Sequence, residues 1–323
     1  MTPEQTRIGA LTRFAGGITV FNILGHTILG FETSVMQVLV CVGTAYLAEI
    51  ILETVGALSE KRRPLFAGGL KQLIIFLLPA HITAFATSML LYPGDRLWPF
   101  VFATTVGITS KAIFAVTVGG RRRHFLNPSN TGIVASIFLF PSLAGAPPYH
   151  FTEEIFGYWD WALPAFFIFF GTLLNAMFTK KLPLIASWLI AFALQAVVRH
   201  FLYATWLPGS LAPMTGLAFL LFTFYMITDP QTSPFSVRGQ VIFGISVGAT
   251  YGLLVGHHVV YGLFLALFIV CVCRGIIMYV CELAAVRRAQ AFGKQLWLTS
   301  FGRTTLINVP AAQSNMTEWA AKR

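Results

Sequence analysis

The chain has 323 residues, 56% of them hydrophobic and only 11% charged, with 30 phenylalanines and a formal net charge of +10. Soluble domains carry about 25% charged residues, and a water-soluble core of this length has no room for so much apolar surface. The positive charge does not point to nucleic acid, because the cations sit between apolar runs rather than on one face.

A bilayer-crossing helix needs roughly 20 mainly apolar residues. Such runs follow one another at about 14–33, 35–56, 72–92, 97–118, 129–147, 161–179, 183–203, 210–228, 240–256 and 259–284. With the N-terminus inside, the inner segments collect 18 of the 22 Lys and Arg, and the outer loops hold only Arg96 and Arg199. Cations in short loops set orientation. The expectation is an all-α polytopic protein of the bacterial cytoplasmic membrane, with ten spans and both termini cytoplasmic. Its partner on this reading is membrane lipid, with no nucleic acid. Met1 to Arg13 is polar and shows no cleavable signal peptide. Cys41, Cys271, Cys273 and Cys281 lie in apolar runs and read as buried small hydrophobes, not as disulfides or a metal site.

Taken in chain order, the first polar groups inside spans are Asn22, His26 and His81. Two histidines on different helices are the pattern of haem ligation, but nothing in the sequence aligns their depths. Glu49 and Glu53 share a face of the second span. Lys111 falls inside the fourth span, where a charge costs about 2.5–3.5 kcal/mol or more. It either pairs with one of those carboxylates or neutralises a bound anion.

Arg121, Arg122 and Arg123 precede "NPSNTG", which opens the fifth span with Asn127, Ser129, Asn130 and Thr131. Such residues cap free helix N–H groups, with proline harmless in the first turn. The same geometry aims a positive helix end at an anion, so capping and ligand binding both stand. A second polar segment, "TDPQTSP", carries Thr228, Asp229 and Thr232 on the same face and leads into the ninth span. Asp-Pro with hydroxyls is also a turn signal, yet two polar entrances on one face suggest one shared site, with Lys111 nearby. Further on, His257-His258 reads as an interfacial turn, and Arg274 as a contact to a carbonyl or to Glu282. The basic tail is expected either to lie on the membrane as a helix or to be partly unstructured.

The longest outer loop, Ser142 to Trp161, separates two halves of five spans. The organisation is residues 1–147 as the first half, 148–160 as the connecting loop, 161–285 as the second half and 286–323 as the tail. An odd number of spans per half makes any repeat inverted. "YPGDRLWPFVF" (92–102) and "TDPQTSPFSVRGQVIF" (228–243) are a weak trace of one, each with Asp, then Pro-Phe, then an apolar helix.

"RRRHFLNPSNTGIVASIFLFP" and, about a hundred residues later, "FYMITDPQTSPFSVRGQVIFGISVGATYGLL" resemble a family of integral membrane proteins shared by two redox machines. One machine is the Rnf-type electron-transport complex, and the other is the sodium-pumping NADH:quinone oxidoreductase. The resemblance covers most of residues 70–285. "LLYPGDRLWPF" and "NPSNTGI" are closest to the stand-alone branch of enediyne biosynthetic clusters. The resemblance implies ten helices, other membrane or redox subunits as partners, and a flavin. Members esterify FMN to a threonine of a Ser-Gly-Ala-Thr motif in the loop after the fifth helix. Here that loop has Thr152 alone, and "VGAT" (247–250) lies inside a span. Covalent FMN is therefore not expected, which leaves a non-covalent flavin (FMN or riboflavin), a quinone or another planar ligand. No GxGxxG or nucleotide-binding loop is present, so any electrons come from and go to partners. Three functions remain open: a redox subunit of an oxidoreductase complex, a small-molecule carrier or channel, and a structural subunit.

Overall fold

The computed structural model describes residues 3–27, 30–31, 33–118, 121–140 and 157–300. In chain order the helices are α1 (Pro3–Thr27), α2 (Val35–Ser59), α3 (Leu70–Leu90), α4 (Trp98–Ile113), α5 (Pro128–Leu139), α6 (Ala162–Leu174), α7 (Leu182–Tyr203), α8 (Leu207–Leu211), α9 (Leu217–Leu221), α10 (Val237–Gly256) and α11 (Gly262–Ser300). Two π-turns extend helices, Asn175–Thr179 after α6 and Phe222–Met226 after α9. Among the described residues, six helices are long and apolar enough to cross a membrane: α1, α2, α3, α7, α10 and the first part of α11.

The surface follows the same logic. Large apolar side chains face outward, among them Leu58 at 74% exposure and Phe138 at 72%, while Asn22, Gln37, Thr87, Thr104 and Asn130 are buried. A soluble fold reverses that distribution. In lipid it is the favourable one, because internal polar groups find partners that hydrocarbon cannot supply.

The helices depart from the sequence expectation in three places. The fourth run stops as a helix at Ile113, and Ala115–Val118 (β1) pairs antiparallel with Arg121–His124 (β2), with Val116 opposite Arg123. The β-branched Val116, Thr117 and Val118 favour an extended chain there. The eighth run is broken: α8 with its 3₁₀ turn meets the segment ending at Met226 at 67°, with Pro208, Pro213 and Gly216 in the stretch. Helix α11 continues past the span to Ser300 as a single 39-residue helix. Cys273 and Cys281 are exposed on its outer face rather than buried, while Cys41 and Cys271 are buried. Thr152, the 142–156 part of the long loop and residues 301–323 lie outside the described residues.

Small residues set the closest helix contacts, as lipid-embedded packing favours. Gly244, Gly248 and Gly252 line one face of α10 against α7. A Cβ on Gly244 would sit 2.8 Å from the Leu184 carbonyl oxygen, and one on Gly252 would sit 2.8 Å from the Gln195 Cβ. In the first half α5 lies on α4 in the same way. A Cβ on Gly107 would sit 2.6 Å from the Pro128 carbonyl oxygen, and one on Gly132 would collide with the Ala103 carbonyl. This approach anchors the start of α5.

Candidate functional site: the paired polar segments

The start of α5 is a capped helix. Asn127 Oδ1 accepts from the Asn130 N–H at 3.1 Å and from the Ser129 hydroxyl at 2.9 Å, while the Thr131 hydroxyl donates to the Asn127 carbonyl at 2.7 Å. Pro128 takes the first helical position, where no N–H is needed. The amide ends of the two asparagines reach further. Asn127 Nδ2 donates to the Met226 carbonyl at 3.3 Å, and Asn130 Nδ2 to the Phe264 carbonyl at 3.0 Å. The segment "NPSNTG" is thereby bonded to the residue two before Thr228 and to α11.

The second segment is built differently from expectation. Asp229 does not begin a helix: α10 starts at Val237, and its N-cap is Ser236, whose hydroxyl accepts from the Gly239 N–H. Asp229 instead closes a local turn, its carboxylate taking the Gln231 N–H at 3.1 Å and the Thr232 hydroxyl at 3.0 Å. Pro230 and Pro234 hold this stretch out of helical geometry. The Thr228 hydroxyl donates back to the Phe224 carbonyl at 2.7 Å. The Arg274 guanidinium donates to the Thr232 carbonyl, so it contacts a carbonyl rather than Glu282.

The structure groups Asn127, Ser129, Asn130 and Thr131 at the start of α5 and Thr228, Asp229 and Thr232 in the second turn, and links the two through Asn127 and the Met226 carbonyl. All but Asp229 are buried. It does not bring Lys111 to them, because that ammonium lies 2.5 Å from a Glu49 carboxylate oxygen on α2. Glu53 pairs with Arg62 instead. His81 is held between the Thr19 and Tyr46 hydroxyls at 2.7 Å each. His26 is bound to the Asn22 carbonyl at 2.8 Å and to Thr33 at 3.4 Å. The two imidazoles are thus held in separate networks, unlike a pair of axial haem ligands.

Two buried polar side chains of this region carry no mark in the sequence reading. Asn175 is fully buried and donates to the Gly171 and Phe224 carbonyls, each at 2.8 Å, tying the two π-turns together. A single Asn inside "FFIFFGTLLNAMF" was the available signal. π-turns leave carbonyls without their usual partners and recur at functional sites. Lys181, read as one of the orienting cations, is 1% exposed and donates to the Pro234 carbonyl at 2.5 Å. Burial pulls its ammonium from the ordinary 10.5 down to about 8, partly offset by Asp229, while Arg274 and Arg123 push the same way as burial.

Farther along α5, an apolar cleft of about 270 Å³ lies between that helix and the start of α11. Val134, Ile137, Tyr261 and Phe264 line it, and the Phe264 carbonyl is the acceptor used by Asn130. Asn130 Oδ1 is buried without a hydrogen-bond partner among the described residues. No protein-family model matches the chain, and no curated protein matches it significantly.

Proposed function

We propose that the chain is a ten-span protein of the bacterial cytoplasmic membrane, with both termini cytoplasmic, that holds a flavin or quinone-like ligand non-covalently and passes electrons within a redox complex. The observation that carries this reading is Asn130. Its amide nitrogen donates to the carbonyl of Phe264, a residue that also lines an apolar cleft, while its oxygen is buried without a hydrogen-bond partner among the described residues. A planar heterocycle with a ring N–H fits that acceptor, and pockets of this kind join apolar walls to a few fixed polar groups. The resemblance of the two polar segments to the electron-transport family supports the same reading.

The inverted repeat belongs to the proposal. Helix α2 packs on α4 as α7 packs on α10, α1 on α3 as α6 on α9, and α4 on α5 as α10 on α11. That recurrence is what two five-span halves would produce. The short α4 to α6 then count as spans, as does the broken pair ending at Met226.

An absorption spectrum of the purified protein is the test. A yellow, reducible chromophore is expected, with no flavin fluorescence left on the denatured chain. Asn130→Ala should weaken its retention roughly 5- to 150-fold, the effect of losing one buried hydrogen bond of about 1–3 kcal/mol. A colourless, folded protein would sink the redox reading. The 67° break in the α8–α9 stretch favours a second reading, a small-molecule carrier. Solute uptake by vesicles containing a colourless protein would establish it.

A further inference from the structure

Where α7 and α10 end, a cleft of about 260 Å³ opens to the surface, and the polar residues that line it are Arg199, Trp206, Ser210 and Tyr251. No carboxylate lines it among the described residues. Local geometry brings the first three together. After α7 the chain turns at Ala204, in the left-handed region at φ 51°, and His200 Nδ1 donates to the Thr205 carbonyl at 2.6 Å. This turn sets Trp206 at the cap of α8, close to the end of α7.

The cation and the indole are both held in place by the protein. Arg199 Nε donates to Gln195 Oε1 at 2.9 Å, and the Gln195 amide nitrogen donates to the Phe192 carbonyl at 2.8 Å. Gln195 is 8% exposed, so the guanidinium is fixed from a buried anchor. That anchor is neutral. A glutamate in its place would cancel the charge, whereas glutamine orients the guanidinium and leaves the charge whole. Among the described residues Arg199 forms no ion pair, and its two terminal amino groups make no hydrogen bond. Trp206 lies on Gly209, where a Cβ would come within 2.7 Å of the indole Cε3. The ring is thus seated on α8, and the residue is still 75% exposed. Tyr251 is 8% exposed, its ring 5.0 Å from that of Phe192, and its hydroxyl has no hydrogen-bond partner among the described residues.

This set of groups selects its ligand. A guanidinium donates and cannot accept, and two free amino ends side by side match a carboxylate through two parallel bonds. A seated indole with an open face offers stacking surface to a planar group. The volume is that of about nine waters, below the range of pockets that take drug-sized molecules. We propose that the cleft is a binding site for small aromatic carboxylates, with the carboxylate on the free amino groups of Arg199 and the ring against Trp206. It shares no residue with the Asn130 site, so a colourless protein leaves it standing.

The test is calorimetric titration of the full chain in detergent with sodium benzoate, beside benzamide, its uncharged isostere. Benzoate should bind saturably with a Kd of about 1 mM or tighter. Benzamide should bind about tenfold more weakly, for want of the charge-assisted pair. Arg199→Gln should weaken benzoate about tenfold and erase its advantage over benzamide. Arg199→Lys keeps the charge but loses the fork, and should recover only part of that advantage. Trp206→Leu, at an exposed position, should weaken both ligands alike. Arg96→Gln, an exposed cation in the loop before α4, should change nothing. If the Arg199 variants do not fold, the benzamide comparison and Trp206→Leu decide. The proposal is overturned by equal binding of benzoate and benzamide, by unchanged binding in folded Arg199→Gln, or by the same loss in Arg96→Gln, which would mean diffuse charge. It is also overturned if benzoate does not bind while phosphatidylglycerol stabilises the wild type and not Arg199→Gln, which would assign the cleft to a lipid headgroup.

Discussion

Asn127 joins the two polar segments through a single side chain, and its two ends can be removed separately. Asn127→Ser keeps an oxygen that can cap α5 and loses the donor to Met226. Asn127→Ala loses both. The cap is worth about 1 kcal/mol, and a buried carbonyl deprived of its donor costs about 1–3 kcal/mol. The serine variant should therefore lose about 1–3 kcal/mol and the alanine variant about 2–4 kcal/mol, measured by reversible unfolding in mixed micelles. Asn127→Asp separates the effects further. It keeps the cap oxygen but turns a carboxylate oxygen toward the Met226 carbonyl, now 3.3 Å from the amide nitrogen. Burial disfavours the ionised form, so the folded-state value of this new carboxyl is raised. Its stabilising, protonated form is present at low pH and is lost as pH rises through that value. Asn127→Asp should recover stability in acid relative to Asn127→Ala. If Asn127→Ser matches the wild type within about 0.5 kcal/mol, or if the aspartate variant shows no acid recovery relative to alanine, the bridge to Met226 does not hold the segments together.

Three further outcomes follow from the packing and the charges. Gly244→Ala places a Cβ 2.8 Å from the Leu184 carbonyl oxygen and 2.9 Å from the Trp188 nitrogen, backbone atoms that cannot swing aside. It should cost about 1–3 kcal/mol by overpacking, whereas Gly256→Ala, with open space around it, should stay near wild type. Stability in phosphatidylcholine should rise with pH between about 8 and the ordinary 10.5 of lysine, because the folded chain has released the Lys181 proton that the unfolded chain still holds. Lys181→Met should flatten that rise. Lys111→Met and Glu49→Gln should each destabilise by leaving a lone charge, and the double variant should lose less than the sum of the two. Additive losses would show that the pair is not coupled.

The membrane character was legible in composition, because nothing else accommodates an apolar majority with so few charges. The cap at Asn127 was legible too, since its partners lie within four residues and local chemistry decides them. Helical periodicity put Glu49 and Glu53 on one face but left Lys111 either to pair with one of them or to neutralise a bound anion, and the folded structure pairs it with Glu49 while Arg62 takes Glu53. The hairpin after Ile113 and the break before α9 were hidden in hydropathy, which averages over a window and cannot see β-branched runs or prolines interrupting an apolar stretch. Asn127 to Met226, Asn130 to Phe264 and Asn175 to Phe224 are separated by 99, 134 and 49 residues. No spacing rule reaches across such distances. Only the folded arrangement decides them, because each amide must find a carbonyl that a π-turn, a helix end or a neighbouring helix has left exposed inside a medium with no water. The same holds for Lys181. The sequence by itself places it among the cations that orient the chain, and the tertiary structure alone buries it against the loop that the Asp229 turn has shaped.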